Sequence, residues 1–181
     1  MRNKVRIVGG EWRSRTITFP GGADLRPTPD RVRETVFNWL GQDMSGKTCL
    51  DLFAGSGAMG FEAASRGAEQ VVMVESSPEV VKALKINSQK LGAKQIQLAA
   101  RDALKFMDSD RQLFDVIFLD PPYRLGLLPQ LLSLLPLHLA EDGLVYIEDD
   151  NFSEVGTDWL VWRKGYAGKV CYQLLKSGKN G

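Results

Sequence analysis

One tetrapeptide in the sequence combines groups that could hold a reacting amine. Asp120, Pro121, Pro122 and Tyr123 directly follow the apolar run 114–119. The carboxylate of Asp120 and the backbone carbonyl of Pro121 can each accept one N–H of a planar exocyclic amine, and proline rings hold such a carbonyl rigidly because their φ angle is locked. The ring of Tyr123 could stack on a base that is turned out of a nucleic acid. The alternative is a structural Pro-Pro turn in which Asp120 only caps the loop.

A glycine-rich loop lies upstream of this tetrapeptide. Residues 49–60 have the pattern of a short apolar strand, a turn and the start of a helix, and Gly55, Gly57 and Gly60 match the spacing G-x-G-x-x-G. Glycines at these positions let the backbone approach a ligand and let the helix pack close to the strand. The bare pattern also occurs at strand–helix junctions where it serves packing alone.

Two carboxylates beside this loop indicate which ligand it binds. Glu75 lies 20 residues beyond Gly55, the separation expected of a side chain that accepts hydrogen bonds from ribose hydroxyls. Asp51 directly precedes the loop, where it would repel a pyrophosphate but would suit an amine and a sulfonium. The loop therefore predicts S-adenosylmethionine rather than NAD, unless Asp51 is only a loop cap. A sulfonium methyl carbon is already activated, so alignment with the amine supplies much of the catalysis.

Other kinds of catalytic site have little support in the sequence. His138 is the only histidine, lies in a leucine-rich region and is interpreted as structural. The two cysteines, Cys49 and Cys171, are far apart and indicate reduced thiols in a cytosolic protein. The sequence predicts no metal site and contains neither a P-loop lysine nor a Ser-His-Asp set.

Length and charge suggest one domain with a basic arm. A chain of 181 residues can bury a substantial core. Residues 1–33 hold eight Lys/Arg and three Asp/Glu, a balance of +5, whereas the remainder holds fifteen and nineteen, a balance of −4. Such a segment favours an anionic partner. No signal peptide is predicted, and the apolar run 127–140 is too short to span a membrane, so we expect a cytoplasmic protein.

The basic arm is predicted to be a hairpin over residues 1–24, ahead of a main domain over 25–181. Basic side chains alternate there with apolar ones, and Gly9-Gly10 separates two strand-like pieces. Arginines with an interleaved aromatic could bind RNA through its phosphates and bases. The alternative is a solubilising hairpin whose aromatic side chain packs on the body. The candidate RNA-binding residues are Arg6, Trp12, Arg13 and Arg15.

A helix is predicted to follow the arm. Thr28 is a good N-cap and Pro29 suits the first helical position. Arg26, Arg31 and Arg33 cluster at this helix start, where they could line one side of the ligand pocket or form a solvated face.

Strands and helices alternate along the main domain. This order predicts an α/β fold with a doubly wound, mostly parallel sheet. The end of the chain breaks the rhythm, because runs 159–162 and 170–174 are joined by too few residues for a helical crossover and should pair as an antiparallel hairpin. The predicted strands are 48–52, 71–75, 96–99, 114–119 and 144–149, and the predicted helices are 57–66, 78–91 and 127–139.

These motifs, taken in order, resemble those of class I S-adenosylmethionine-dependent amino-methyltransferases. The resemblance implies a Rossmann-like, seven-stranded sheet with one antiparallel strand. The N-terminal pieces narrow it to the bacterial 16S ribosomal RNA guanine-N2 methyltransferase family, the RsmD type. The segments that carry the resemblance are Asp51–Gly57, Glu75, Arg101–Ala103, Asp120–Tyr123, Arg6–Arg13 and Leu25–Thr35.

The resemblance implies a role for each matching residue. The loop would contact the methionine part of the cofactor, Glu75 the ribose hydroxyls, Asp102 the adenine amine, and Thr28 and Arg31 the cofactor carboxylate. Asp120, Pro121, Pro122 and Tyr123 would form the catalytic tetrad. The implied cofactor-binding residues are Asp51, Phe53, Ala54, Gly55, Ser56, Gly57, Glu75, Ser76, Asp102, Ala103, Thr28 and Arg31.

The expected substrate is one guanine of the 16S ribosomal RNA, presented in the small ribosomal subunit, with S-adenosylhomocysteine as the other product. The same fold and tetrad also serve DNA adenine-N6 and protein glutamine-N5 methylation. A DNA enzyme usually carries an added recognition segment, and a glutamine enzyme usually carries Asn in place of Asp120. A non-catalytic RNA-binding assembly module remains another alternative. We expect a monomer.

Overall fold

The computed structural model describes residues 2–21, 25–122, 126–149 and 155–178. Strands and helices alternate through most of these ranges, as the apolar runs predict. Their bounds in chain order are β1 Arg2–Arg6, β2 Thr16–Pro20, α1 Asp30–Leu40, β3 Thr48–Asp51, α2 Ala58–Ser65, β4 Gln70–Val74, α3 Pro78–Leu91, β5 Ile96–Ala99, α4 Ala103–Ser109, β6 Phe114–Leu119, α5 Leu128–Leu134, a 3₁₀ turn Leu135–His138, β7 Leu139–Asp149, β8 Trp159–Ala167 and β9 Val170–Ser177.

The described residues form one seven-stranded sheet with the order β5-β4-β3-β6-β7-β9-β8. The five neighbouring strands β5, β4, β3, β6 and β7 are parallel to one another. Strand β9 pairs antiparallel with both β7 and β8. In chain order, β3 to β5 extend the sheet in one direction, and β6 and β7 then extend it in the other, so the order switches between β3 and β6. In open α/β sheets, such a switch point opens a crevice beyond the carboxyl ends of the strands, where ligands bind. The doubly wound fold and its terminal antiparallel hairpin are confirmed.

Alternating side chains of the strands feed two hydrophobic cores. On one face, Cys49 and Phe118 pack with α1, α2 and α3. On the other, Leu50 and Ile117 pack with α4 and α5. Strands that are covered on both faces are almost wholly apolar, which explains why these runs are visible in the sequence.

The N-terminal arm forms the expected hairpin, β1–β2, with Arg6 paired to Thr16. Its connection is longer than a Gly-Gly turn and spans residues 7–15. The prediction that Trp12 stacks on a base is wrong, because this side chain is only 4% exposed and packs in the same core as α1 and α2. Burial of a large aromatic ring stabilises the arm on the body and leaves no face for a base.

Three predicted boundaries lie five residues from those in the structure. The helix predicted over 127–139 ends at Leu134, because Pro136 cannot continue the α-helical ladder. The strand that follows begins at Leu139, with an irregular register before Leu144. Strand β8 continues to Ala167, so Gly165 lies inside a strand rather than in the connection. A side chain there would meet the ring of Tyr172, because a Cβ atom would lie 2.6 Å from its hydroxyl oxygen.

Helix α1 begins one residue later than its predicted cap implies. Pro29 is the N-cap, so the prediction that Thr28 caps the helix is wrong. The Thr28 hydroxyl is buried and donates a hydrogen bond to Glu148 instead. Among the described residues, none of the helices has the length and apolar character needed to cross a membrane.

Candidate active site at the carboxyl edge of the sheet

Four acidic side chains lie along the carboxyl edge of the sheet, at or just after the ends of neighbouring parallel strands. Asp51 ends β3, Glu75 follows β4, Asp120 follows β6, and Glu148 lies near the end of β7. The register pairs Asp51 with Phe118, and Leu119 with Ile147. The sheet therefore brings together the glycine loop and the start of the tetrapeptide, as predicted from their positions after strands.

The glycine loop is shaped by close contacts as well as by backbone angles. Gly57 has φ +84°, and a Cβ atom there would lie 2.5 Å from the ring of Phe61. A Cβ atom on Gly60 would lie 2.4 Å from the Met73 side chain and 3.0 Å from an Asp51 oxygen. The third glycine thus lets α2 approach β3 and β4 closely, which is the packing role expected of this position.

Glu75 fixes the conformation of the glycine loop through two hydrogen bonds. Its Oε1 accepts a hydrogen bond from the Gly55 backbone N–H at 3.0 Å, and its Oε2 accepts one from Ser77 N–H at 2.9 Å. Carboxylate oxygens have lone pairs beyond these contacts, so a ribose hydroxyl could still donate to Glu75. The role of loop anchor was not visible in the spacing alone.

Asp51 is buried beneath the loop, with 5% of its surface exposed. One of its oxygens accepts a hydrogen bond from the Gly60 N–H at 3.0 Å. Burial, and then the charge of Glu75, raise the pKa of Asp51 from 3.8 to about 7. A cation placed beside this carboxyl would offset both effects, and an amine or a sulfonium supplies such a charge. The buried carboxyl of Asp51 therefore fits the cationic part of S-adenosylmethionine.

Asp120 lies between other acids. Its side chain is hydrogen-bonded to Glu148, which in turn accepts the Thr28 hydroxyl at 3.2 Å. Burial and the neighbouring charge of Glu148 raise the pKa of Asp120 well above its usual range. Pro121 is buried and Pro122 is exposed. Tyr123 lies outside the described residues, so its predicted stacking role stays a prediction.

The other predicted cofactor residues have different surroundings. Ala54 donates its N–H to Val74, and the buried Ser56 hydroxyl accepts from Ala58 N–H. Asp102 caps α4 by accepting from Leu104 N–H and Lys105 N–H. The rest are described by burial alone: Phe53 is half-buried, Ala103 is buried, and Ser76 and Arg31 are exposed.

The three predicted RNA-binding arginines do not form one cluster, because they lie near different ends of α1, α2 and α3. Arg6 is exposed and lies 3.5 Å from Asp30 at the start of α1. Arg15 donates to the Lys90 carbonyl at the C-terminal end of α3. Helix α3 has 14 residues and begins at the carboxyl edge of the sheet, so its C-terminal end lies about 21 Å from that edge. Arg13 is exposed, and its connection is held against the last turn of α2 by Glu11 N–H and Trp12 N–H, which donate to Ser65.

A buried ion-pair network was missed by the sequence reasoning, which placed Arg33 in a pocket wall or on a solvated face. Arg33 is 0% exposed and donates to Glu62 at 2.9 Å. Glu62 also accepts from Arg66, and from the backbone N–H groups of Val8 and Gly9. Glu148 was missed as well, although an acid near the end of a strand next to that of Asp120 was a usable signal. Within the described residues, no three metal-ligand side chains come together.

Comparison with known proteins gives consistent matches over almost the whole chain. The family model described as Conserved hypothetical protein 95 matches residues 5–176. Ribosomal RNA small subunit methyltransferase D of Escherichia coli strain K12 is 38% identical, over 98% of this chain and 92% of that protein. An Escherichia coli structure described as a candidate methyltransferase has a TM-score of 0.87 at 39% identity, covering 97% of this chain and 98% of that one.

A more distant structure shares the fold alone. An RNA methyltransferase from Salinibacter ruber, solved in complex with S-adenosyl-L-homocysteine, has a TM-score of 0.68 at 20% identity. The alignment covers 82% of this chain and 92% of that one.

Proposed function

The chain belongs to the family described as Conserved hypothetical protein 95, and from this membership we propose that it methylates the exocyclic N2 amine of a guanine in 16S ribosomal RNA. Its relative in Escherichia coli is named as a ribosomal RNA small subunit methyltransferase. The single observation that carries the proposal is the position of Asp120, at the same sheet edge as the glycine loop and the buried Asp51.

The cofactor is S-adenosylmethionine, and S-adenosylhomocysteine is its product. When bound, it supplies a methyl group on a sulfonium that is activated for direct transfer. Asp51 would face its cationic part, and the backbone of the glycine loop would lie beside its methionine part. Glu75 would accept from the ribose hydroxyls, and Asp102 and Ala103 would lie beside the adenine. Thr28 and Arg31 remain candidates for its carboxylate.

The residues around Asp120 would prepare the amine for transfer. The lone pair of a nucleobase amine is delocalised into the ring, which makes the nitrogen a poor nucleophile. An acceptor on each N–H fixes the amine and turns its lone pair toward the methyl carbon, so most of the acceleration comes from orientation. Asp120 and the Pro121 carbonyl are the two acceptors. Tyr123 is the candidate for stacking on the flipped base.

RNA would lie along the basic arm as well as over the catalytic edge. Arg6, Arg13 and Arg15 are exposed and would contact phosphates. The distance of about 21 Å between Arg15 and the edge corresponds to roughly six nucleotides at about 3.4 Å each. We propose that this RNA is part of the small ribosomal subunit. We also propose a cytoplasmic monomer with an arm over 1–24 and a catalytic domain over 25–181.

The test is transfer of labelled methyl from S-adenosylmethionine to small subunits from cells that lack this protein, followed by nucleoside analysis. We expect N2-methylguanosine with the unaltered protein. Asp120→Ala should lower the rate by on the order of a hundredfold or more, while S-adenosylhomocysteine binding, measured by calorimetry, is retained. Asp108→Ala, an exposed carboxylate on α4, is the matched control and should leave the rate unchanged. Methylation of another base, or undiminished transfer by Asp120→Ala, would contradict the proposal.

A further inference from the structure

Glu148 is a buried acid that the proposed transfer of methyl has not used. It lies one residue before the end of β7 and is only 5% exposed. Because Leu119 pairs with Ile147 in parallel register, the next residues, Asp120 and Glu148, project to the same face of the sheet. This is the face on which α1 packs, so Glu148 lies between the catalytic aspartate and the segment that leads into α1.

Within the described residues, Glu148 lies between two polar partners. It is hydrogen-bonded to Asp120 and accepts the Thr28 hydroxyl at 3.2 Å. Thr28 is itself fixed, because its backbone carbonyl accepts a hydrogen bond from the buried Arg33 side chain at 3.1 Å. A chain of contacts therefore runs from α1 through Thr28 and Glu148 to the side chain that faces the amine.

Among the described residues, the charged groups that act on Asp120 are acidic. Asp120 is influenced by Glu148, by Asp51 on β3 and by Asp149 on β7. Burial raises the pKa of Glu148 as well as that of Asp120, whereas hydrogen bonds from Asp120 and from the Thr28 hydroxyl act to lower the pKa of Glu148 by stabilising its carboxylate. Two carboxyls in such close contact repel each other when both are ionised, and one proton held between them relieves that repulsion.

We propose that Glu148 is the positioning residue for Asp120, and that the two carboxyls share one proton so that a single Asp120 oxygen stays free to accept the target amine. The inference rests on the proposed transfer of a methyl group to a nucleobase amine. The Asp120 oxygen that carries the proton donates it to Glu148, and the other oxygen can only accept. The side chain is thereby held in one orientation with an acceptor toward the substrate.

The same pair accounts for the proton that the amine loses. As the nitrogen–carbon bond forms and the sulfur–carbon bond breaks, the electron pair of the latter stays on sulfur. One N–H bond then breaks and its proton joins the free Asp120 oxygen, while the proton already on Asp120 moves to Glu148. The pair ends neutral with two protons and returns to its starting state by losing one to water.

The proposal predicts how the rate depends on pH. At low pH the pair takes up a second proton, both Asp120 oxygens become engaged with Glu148, and the acceptor is lost. At high pH the last proton leaves, the two carboxylates repel each other, and Asp120 loses its fixed orientation. The rate at saturating substrates should therefore be bell-shaped, with both limbs belonging to the pair.

The experiment compares kcat from about pH 5.5 to 9.5 for the unaltered protein, Glu148→Gln, Thr28→Val and Asp149→Asn, at saturating S-adenosylmethionine and small subunits. Glu148→Gln keeps the shape and can donate an N–H to Asp120, but it cannot share a proton. We expect kcat at neutral pH to fall by on the order of ten- to a hundredfold and the alkaline limb to disappear. Thr28→Val removes the donor to Glu148, so the acid limb should move up by up to about one pH unit.

Asp149→Asn is the matched control, because it removes a nearby negative charge without removing the partner of Asp120. Both limbs should persist and move together to lower pH. Unfolding temperatures and S-adenosylhomocysteine affinities of all variants are measured alongside. If Glu148→Gln does not fold, the shift in Thr28→Val decides the question.

Two results would overturn the proposal. If Glu148→Gln shifts the acid limb to lower pH and keeps or raises kcat at neutral pH, then Asp120 acts as a lone carboxylate that Glu148 merely hinders. If its profile is parallel to that of the unaltered protein, Glu148 has only a structural role. An unaltered protein that binds S-adenosylhomocysteine but methylates no nucleobase amine refutes the proposed function, and with it this inference.

Discussion

Replacing Asp51 with asparagine should stabilise the cofactor-free protein while weakening its binding of the cofactor. The Asp51 carboxyl is buried, and burial together with Glu75 raises its pKa from 3.8 to about 7. Asparagine has almost the same shape, and its side-chain oxygen can still accept the hydrogen bond from Gly60 N–H. The substitution therefore removes a buried charge with little change in packing.

The size and pH dependence of the effect follow from the pKa of Asp51. Between pH 3.8 and about 7, the folded protein holds a proton on Asp51 that the unfolded chain has lost, so the free energy of unfolding falls as pH rises through this window. Above pH 7 the loss is complete. About 3 pH units at about 1.4 kcal/mol each give a cost of about 4 kcal/mol at pH 8, an upper value because buried sites relax around a charge.

The assay is urea unfolding of the cofactor-free proteins near pH 5 and pH 8, at equal m values. Asp51→Asn should exceed the unaltered protein in stability by up to about 4 kcal/mol at pH 8, and by roughly 1 to 2 kcal/mol at pH 5. Its affinity for S-adenosylhomocysteine should fall by on the order of tenfold or more, because a hydrogen bond to a charged group is lost.

Asp43→Asn is a control in which the free energy of unfolding should fall rather than rise. Asp43 is exposed and accepts hydrogen bonds from Ser45, which lower its pKa. Removal of that carboxylate should destabilise the protein to the same extent at both assay pH values, because its stabilising effect is complete above pH 3.8 and is lost only as pH falls below that value. If Asp51→Asn is no more stable than the unaltered protein at pH 8, or if its gain is the same at both pH values, then Asp51 is not a strained buried acid.

Two further variants test the arm. Glu62→Ala should lower the free energy of unfolding by about 3 to 5 kcal/mol, because it removes the buried one of the two carboxylates that pair with Arg33. Urea unfolding measures this, and Glu69→Ala, which removes an exposed acid, should change stability by less than about 0.5 kcal/mol. Replacing Arg13 and Arg15 with alanine should weaken RNA binding and reduce the slope of log K against log salt by about two, and an unchanged slope would show that neither arginine contacts a phosphate.

The parallel sheet could be predicted from the sequence because its central strands are covered on both faces. Runs such as 114–119 then become almost entirely apolar, and the acids and glycines that follow them mark the carboxyl edge. Asp51, Glu75 and Asp120 were found in this way. The boundary between α5 and β7 was missed, because leucines on both sides of Pro136 give no periodic signal that separates a buried helix from a buried strand.

Contacts between residues distant in sequence could not be predicted. Nothing in the spacing of Arg33 and Glu62 shows that they form a buried ion pair, because the pairing depends on how α1 packs against α2. The orientation of Trp12 likewise depends on where the connection 7–15 lies. Glu148 was detectable as an acid near a strand end, but its partnership with Asp120 requires the register between β6 and β7.

The Glu62 network also limits which parts of the chain can be exchanged between relatives. Glu62 belongs to α2, the helix that begins at the glycine loop, yet it holds the backbone of Val8 and Gly9. An arm transplanted from another enzyme would need the matching helix residues to travel with it. The arm therefore cannot be exchanged as an independent module. During evolution, substitutions in the arm and substitutions in α2 should occur together.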